Sequence, residues 1–419
     1  MCLAVFAQDT LAPRHCPLKP RRCLRHTRWP PFPRSLPCRI SGMSSWRKPF
    51  MKKYPAGGAG MVRLMHEPVA NGADRADKAF MSNAMKNDQS NNFDFLRWLA
   101  AFLVFISHQS VLAGRGEVEL SFVGSSGKLG VYIFFSISGY LTAESWRRDP
   151  NVFRFAIKRF LRIWPGLAAV TIFAALVIGP MVSSMDAQAY YTDPGFLRYF
   201  KILWLKIVYG LPGVFEKNPY PVTVNGSLWT IPIEVFWYVF LVIIGSLGMT
   251  RFGGLFVVLH IAVIALAFNL HILTKEIFSY VEFGLYFCYG VCLSAGRMHW
   301  MPHKKLVLAL VSSLAIVYHA IGLTGLAVWI FLPYAVVLFG SSSTPCLRSF
   351  GKYGDFSYGL YLYAFPIQQA MVFAIGAATS YALLFSMSYA VTLLLAYLSW
   401  HMLEHPAIRL KPYRRQGYA

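Results

Sequence analysis

Three side chains able to do chemistry sit in one apolar run. Residues 93–114, FDFLRWLAAFLVFISHQSVLAG, are long and apolar enough to cross a bilayer, yet they carry Asp94, Arg97 and His108. Each ionisable group in such a segment costs roughly a few kcal/mol, so it needs a partner or a purpose. Arg97 and His108 are eleven positions apart, about three helical turns and ~16 Å of rise, so both fall on one stripe that Asp94 joins. A neutral imidazole there suits a general base, and a guanidinium suits an anion. On this stretch alone a second reading stands beside the first: Asp94 and Arg97 as an interfacial pair at a helix end, with His108 hydrogen-bonded inside a bundle.

Two further constellations widen the choice. The stretch ESWRRDPNVFRFAIKRFLRIWPGL (144–167) crowds Arg147, Arg148, Arg154, Lys158, Arg159 and Arg162 into one short connection. Arginine's planar fork matches phosphate, so this basic stretch, Arg148 included, could hold a phosphorylated cofactor, against plain orientation in a bilayer and contact with anionic lipid. Glu234 follows Pro232 in NGSLWTIPIEVFWYVF, where it could orient His108 or hold its imidazolium. Glu404, in SWHMLEHPAIRLKP, reads as a helix-end residue paired with Arg409 or a loop arginine. Ser136, Ser138 and Gly139 read first as close helix packing. The seven cysteines show neither a disulfide framework nor a metal spacing, so no metal is expected.

The elements that must position these residues are membrane spans. The chain of 419 residues is 56% hydrophobic and only 14% charged, where a soluble domain carries about 25%. The fold expected is all-α and polytopic, with ten spans near 93–112, 130–145, 163–182, 230–247, 254–270, 278–293, 306–319, 323–339, 357–375 and 381–402. The amphipathic piece YFKILWLKIVYGL (199–211), in the one long connection, reads as a helix lying on the membrane or capping the bundle. The net charge of +22 is not a nucleic-acid footprint. Residues 1–90 hold 16 Lys/Arg against 5 Asp/Glu in a Pro- and Arg-rich stretch without apolar period, expected to be a disordered tail. Translation is expected to start at Met43, Met61 or Met81. Beyond it, loops assigned to the inside hold 16 basic residues and those outside 7, which puts both termini in the cytosol. The domain proper spans 91–410, with a basic tail at 411–419.

Six motifs in order resemble one family. Asp94-x-x-Arg97 with His108, then FFSISGY, KRFLRIWP, SLWTIPIEVFWY, FSYGLYLYAFPIQQ and LEHP are similar to the acyltransferase-3 family of integral-membrane enzymes, over about residues 91–410. The resemblance implies transfer of an acyl group from acyl-coenzyme A to sugars and other hydroxyl acceptors. It implies that His108 is the catalytic base, that Arg97 is needed with it, that Arg159 and Arg162 engage the coenzyme, and that Glu234 belongs to the site. Two departures follow. Many members carry histidine where this chain has Ala364, so that group is not needed here. The chain ends at Ala419 without the soluble domain some members append, so acceptor recognition is expected from the membrane part, the 183–229 segment included.

Together these readings describe an O-acyltransferase of a bacterial inner membrane, using acetyl-coenzyme A on a cell-surface glycan or glycolipid. No Ser, Cys or Lys constellation argues for an acyl-enzyme, which favours direct transfer. The rival is a secondary transporter using Asp94, Arg97, His108 and Glu234 as a proton relay. It demands internally repeated spans, and the chain has no such symmetry.

Overall fold

The computed structural model describes residues 91–252 and 275–412, with Gly254 and Ala262 between them. The expected N-terminal tail, most of the fifth span and most of the C-terminal tail lie outside the described residues. Nine long helices account for the rest of the expected spans among the described residues: α1 Phe93–Leu112, α2 Ser126–Arg148, α3 Val152–Val182, α4 Thr230–Ser246, α5 Lys275–Ala295, α6 Lys304–Ala320, α7 Thr324–Gly340, α8 Ser357–Ile375 and α9 Tyr381–Arg409. Five are long and apolar enough to cross a membrane, α1, α3, α5, α9 and α4 with its leading 3₁₀ turn from Gly226. The only strands among the described residues form one ribbon, Glu119–Leu120 against Gly124–Ser125, closed by Gly124 at φ 97°.

Helix α2 is the hub, with α1, α5, α7 and α4 packed on it. Small residues allow the approach. A Cβ at Gly139 or Gly290 would run into the facing backbone between α2 and α5, and one at Gly130 into the carbonyl of Ala100 on α1. Helix α8 lies along α1 and α9. On the outside, α6 buries none of its side chains, and Leu306, Leu310 and Ile316 are exposed, as expected where lipid is the solvent.

The connection 183–229 corrects one expectation. It is not one amphipathic helix: Pro194–Tyr199 is helical, Phe200–Trp204 is a 3₁₀ turn, and Leu205 turns left-handed at φ 61°. From there the chain runs extended to a bridge between Gly210 and Thr223. It does cap the bundle, because Leu211, Val214, Phe215 and Val224 are buried in the main core. Helix α3 is fitted to this cap. Residues Ala174–Ile178 form a π turn, whose wide hydrogen bonding frees carbonyls, and the Tyr190 hydroxyl donates to the carbonyl of Ala175 at 2.8 Å.

Candidate active site

The helices gather the basic residues at one end of the bundle and sort them by partner. Helix α1 begins there, α2 ends there and α3 begins there. Arg147 donates to Glu144 at 2.7 Å, and Arg148, mostly exposed, lies 3.9 Å from the same carboxylate. Asp149 accepts from Arg154 and Lys158. Those hydrogen bonds, Arg154's first, hold its carboxyl well below the usual range. Arg162 donates to Asp355 at 2.6 Å, and Arg97 reaches both Asp94 at 2.5 Å and Asp355 at 3.2 Å. Asp355 also accepts from the hydroxyl of Ser357. Burial alone would raise the Asp355 carboxyl, but the guanidiniums of Arg162 and Arg97 hold it well below its ordinary value.

Arg159 is different. Among the described residues no carboxylate pairs with it. Its guanidinium lies 5.5 Å from the ring centre of Phe155 and 5.7 Å from that of Tyr238, and its buried Nε has no hydrogen-bond partner. Lys411 adds to the same field: burial first, then Arg159, Arg162, Arg97 and Lys158, pushes its ammonium down to about 8. A cationic site with uncommitted charge is what an anionic ligand requires.

A cavity opens from this cluster into the bundle. Arg97, Arg159 and Arg162 line it, together with Ser138, Glu234 and Tyr361. Glu234 is held within it by the Ser138 hydroxyl at 3.1 Å and by the hydroxyl of Tyr238. Beyond it the Tyr361 hydroxyl donates to the carbonyl of Ser227 at 2.6 Å and meets Thr230 at 2.6 Å. Four of the six expected site residues, Arg97, Arg159, Arg162 and Glu234, therefore share one cavity. Arg148 does not line it.

His108 stands apart from that cavity, toward the other end of α1. It is buried, its ring is edge-on to Phe365 of α8 with centroids 5.2 Å apart, and its Nδ1 has no partner. Phe365 follows Tyr361 by one turn of α8, so the histidine lies one turn past the cavity wall. Glu234 is bonded to α2 and to its own helix and is not brought to His108. Ser138, read as a packing residue, is also a ligand of Glu234.

Several members of this arrangement escape the sequence. Asp355 sits in a short loop just before the FSYGLYLYAF motif, where nothing distinguishes it from a helix cap. Lys411 looks like one more basic tail residue. Glu282 did carry a signal, a lone acid inside the apolar run 278–293. It is buried, accepts from Tyr132 at 2.5 Å and pairs with Lys128 at 3.2 Å. Glu404 is buried too, accepts from Ser399 at 2.8 Å, and acts electrostatically on Arg162.

The comparisons with known proteins show the family. The chain matches the acyltransferase-3 family, described as an acyltransferase domain, over residues 90–401. It is 27% identical over 328 residues to an O-acetyl transferase of Shigella phage Sf6, covering 75% of this chain and 95% of that protein. It is 28% identical over 368 residues to nodulation protein 10 of Rhizobium leguminosarum bv. viciae, covering 79% and 96%. No solved structure matches. A helical membrane bundle with an anion-ready cavity and a family match across three quarters of the chain lead to one statement: the chain belongs to the acyltransferase-3 family and is an acyltransferase.

Proposed function

We propose that the protein is an O-acetyltransferase of the bacterial inner membrane that moves the acetyl group of acetyl-coenzyme A onto a hydroxyl of a cell-surface glycan or glycolipid. The observation that carries the donor half is Arg159, a cation without a carboxylate in a cavity it shares with Arg97 and Arg162. The coenzyme's phosphates would meet these guanidiniums and Lys411, and its acyl end would extend along the cavity toward His108. The ~16 Å of helix between Arg97 and His108 suits an extended donor arm.

In this reading His108 takes the proton of the acceptor hydroxyl as its oxygen attacks the thioester carbonyl. The carbon–sulfur bond breaks and the proton held on His108 passes to the departing sulfur, so the coenzyme leaves as its thiol and the imidazole is neutral again. Glu234 holds the cavity wall through Ser138 and Tyr238, and Arg97 is fixed by Asp94 and Asp355. The pattern of basic loops supports ten spans with both termini and the arginine end in the cytosol, where the coenzyme is made. The test is mass analysis of envelope glycans and lipids from cells with and without the protein. A base-labile acetyl ester present only with the protein is expected. Identical ester content in both would refute the reading.

A further inference from the structure

Around His108 the fold leaves an unusual set of buried polar atoms without partners. Gln109 is fully buried, and neither its amide nitrogen nor its amide oxygen finds a partner among the described residues. Gln368 of α8 is fully buried as well. Its Nε2 donates to the carbonyl of Phe105 at 2.9 Å, one turn before Gln109, while its Oε1 is left over. Phe365, one turn before Gln368, carries the ring that meets His108. The carbonyl of Phe105 and the ring of His108 thus meet Gln368 and Phe365 of α8, the Phe105 ring turns to Phe385 and Tyr389 of α9, and Gln109 follows His108 on the same turn of α1.

The neighbouring residue shows that the fold can satisfy a buried amide here when nothing else is to use it. Gln369 donates from Nε2 to the carbonyls of Tyr220 at 2.7 Å and Thr223 at 2.8 Å, and its Oε1 accepts from Asn218 at 2.8 Å. Those bonds fasten the 183–229 cap over this end of the bundle. Leaving three further polar groups unpaired beside it is costly and is rare in native interiors.

We infer that Gln109 and Gln368, with Nδ1 of His108, form the acceptor subsite, built for a polyhydroxylated, carbohydrate-like ligand. An amide offers a donor and an acceptor side by side, which matches adjacent hydroxyls that each do both. A ligand with a single hydroxyl would satisfy only part of the set. The subsite lies at the opposite end of α1 from the arginines, so donor and acceptor approach the reaction from opposite ends of the bundle. This inference rests on the acyltransferase reading above and adds the residues that select the acceptor.

The experiment compares wild type with Gln109→Met and Gln368→Met, using radiolabelled acetyl-coenzyme A as donor. The acceptor is the alkali-deacylated envelope glycan of a strain lacking the protein, titrated by hexose content. Methionine keeps the length and removes the polar atoms. The KM for glycan should rise about tenfold or more in each variant, the effect of losing one or two hydrogen bonds. The KM for acetyl-coenzyme A should stay within about twofold. The melting temperature in detergent should hold or rise in Gln109→Met, where an unpaired buried amide is gone, and fall slightly in Gln368→Met, which also loses the bond to the Phe105 carbonyl. Unchanged glycan KM in both variants would overturn the inference while leaving the acyltransferase reading intact. So would a melting temperature that falls together with equal losses for both substrates, since that marks a structural role. No labelled product with wild type would instead bring down the reading on which the inference rests.

Discussion

At the scale of single residues, the site is defined by which charges are spent and which are free. Glu144 and Asp149 occupy four of the six cations at the end of α2 and the start of α3, and Asp355 occupies Arg162. Arg159→Ala should therefore weaken donor binding by about 1.5–3 kcal/mol, the worth of a charge-assisted bond, with the melting temperature unchanged. Arg159→Lys should restore only part of it, since the fork is gone. Arg162→Ala should lose stability as well, because it strips a buried carboxylate of the closer of its two guanidiniums. Steady-state kinetics and thermal melts in detergent check all three. Lys411 predicts a pH effect of definite sign. Its folded pKa is lowered to about 8, so its charge is present below that pH and lost above it. Donor KM should rise as pH passes through 8 in wild type, and Lys411→Met should have the high KM throughout. Asp355 predicts the opposite limb. Its carboxyl is held below its unfolded value, so its contribution to stability is present at neutral pH and is lost on acidification below about 4. Asp355→Asn should flatten that acid limb in a series of melts.

At the scale of elements, helix pairs set the spacing that the residues need. The α2–α5 contact is backbone to backbone at Gly139 and Gly290. Gly139→Leu should cost about 1–3 kcal/mol or more through overpacking, visible as low yield and a reduced melting temperature. These helices were legible because spans are long, apolar and bounded by Pro, Trp and basic residues: nine of the ten expected segments fall on described helices, five of which are long and apolar enough to cross a membrane. Arg97 drew notice because an ionisable group inside an apolar run is costly, and Arg159 and Arg162 through the family motif KRFLRIWP. What sequence could not supply was pairing between distant positions. Ser138 and Glu234 are 96 residues apart, and Arg97 and Asp355 are 258 apart. The loop at 199–211 misled because an aromatic, amphipathic composition also describes an extended cap whose side chains point into a core. Glu282 was overlooked because its run stays apolar despite it.

At the scale of the whole molecule, the proposed reaction divides labour between two ends of one bundle. Reporter fusions in the proposed topology should place residue 155 and the C-terminus in the cytosol and residue 215 outside, following the basic asymmetry. Residues 155 and 215 on the same side would contradict it. In the proposed mechanism His108, one turn past the cavity wall, is the base for transfer. His108→Gln keeps a hydrogen-bonding group of similar reach but cannot accept a proton at neutral pH. The most direct measurement is the rate of labelled acetyl transfer by His108→Gln at saturating acetyl-coenzyme A, read beside its melting temperature. The account predicts a rate lower by a factor of about 10²–10⁴ in a protein that melts like wild type. A rate near wild type would show that the histidine is not the base, and with it the mechanism proposed here would fall.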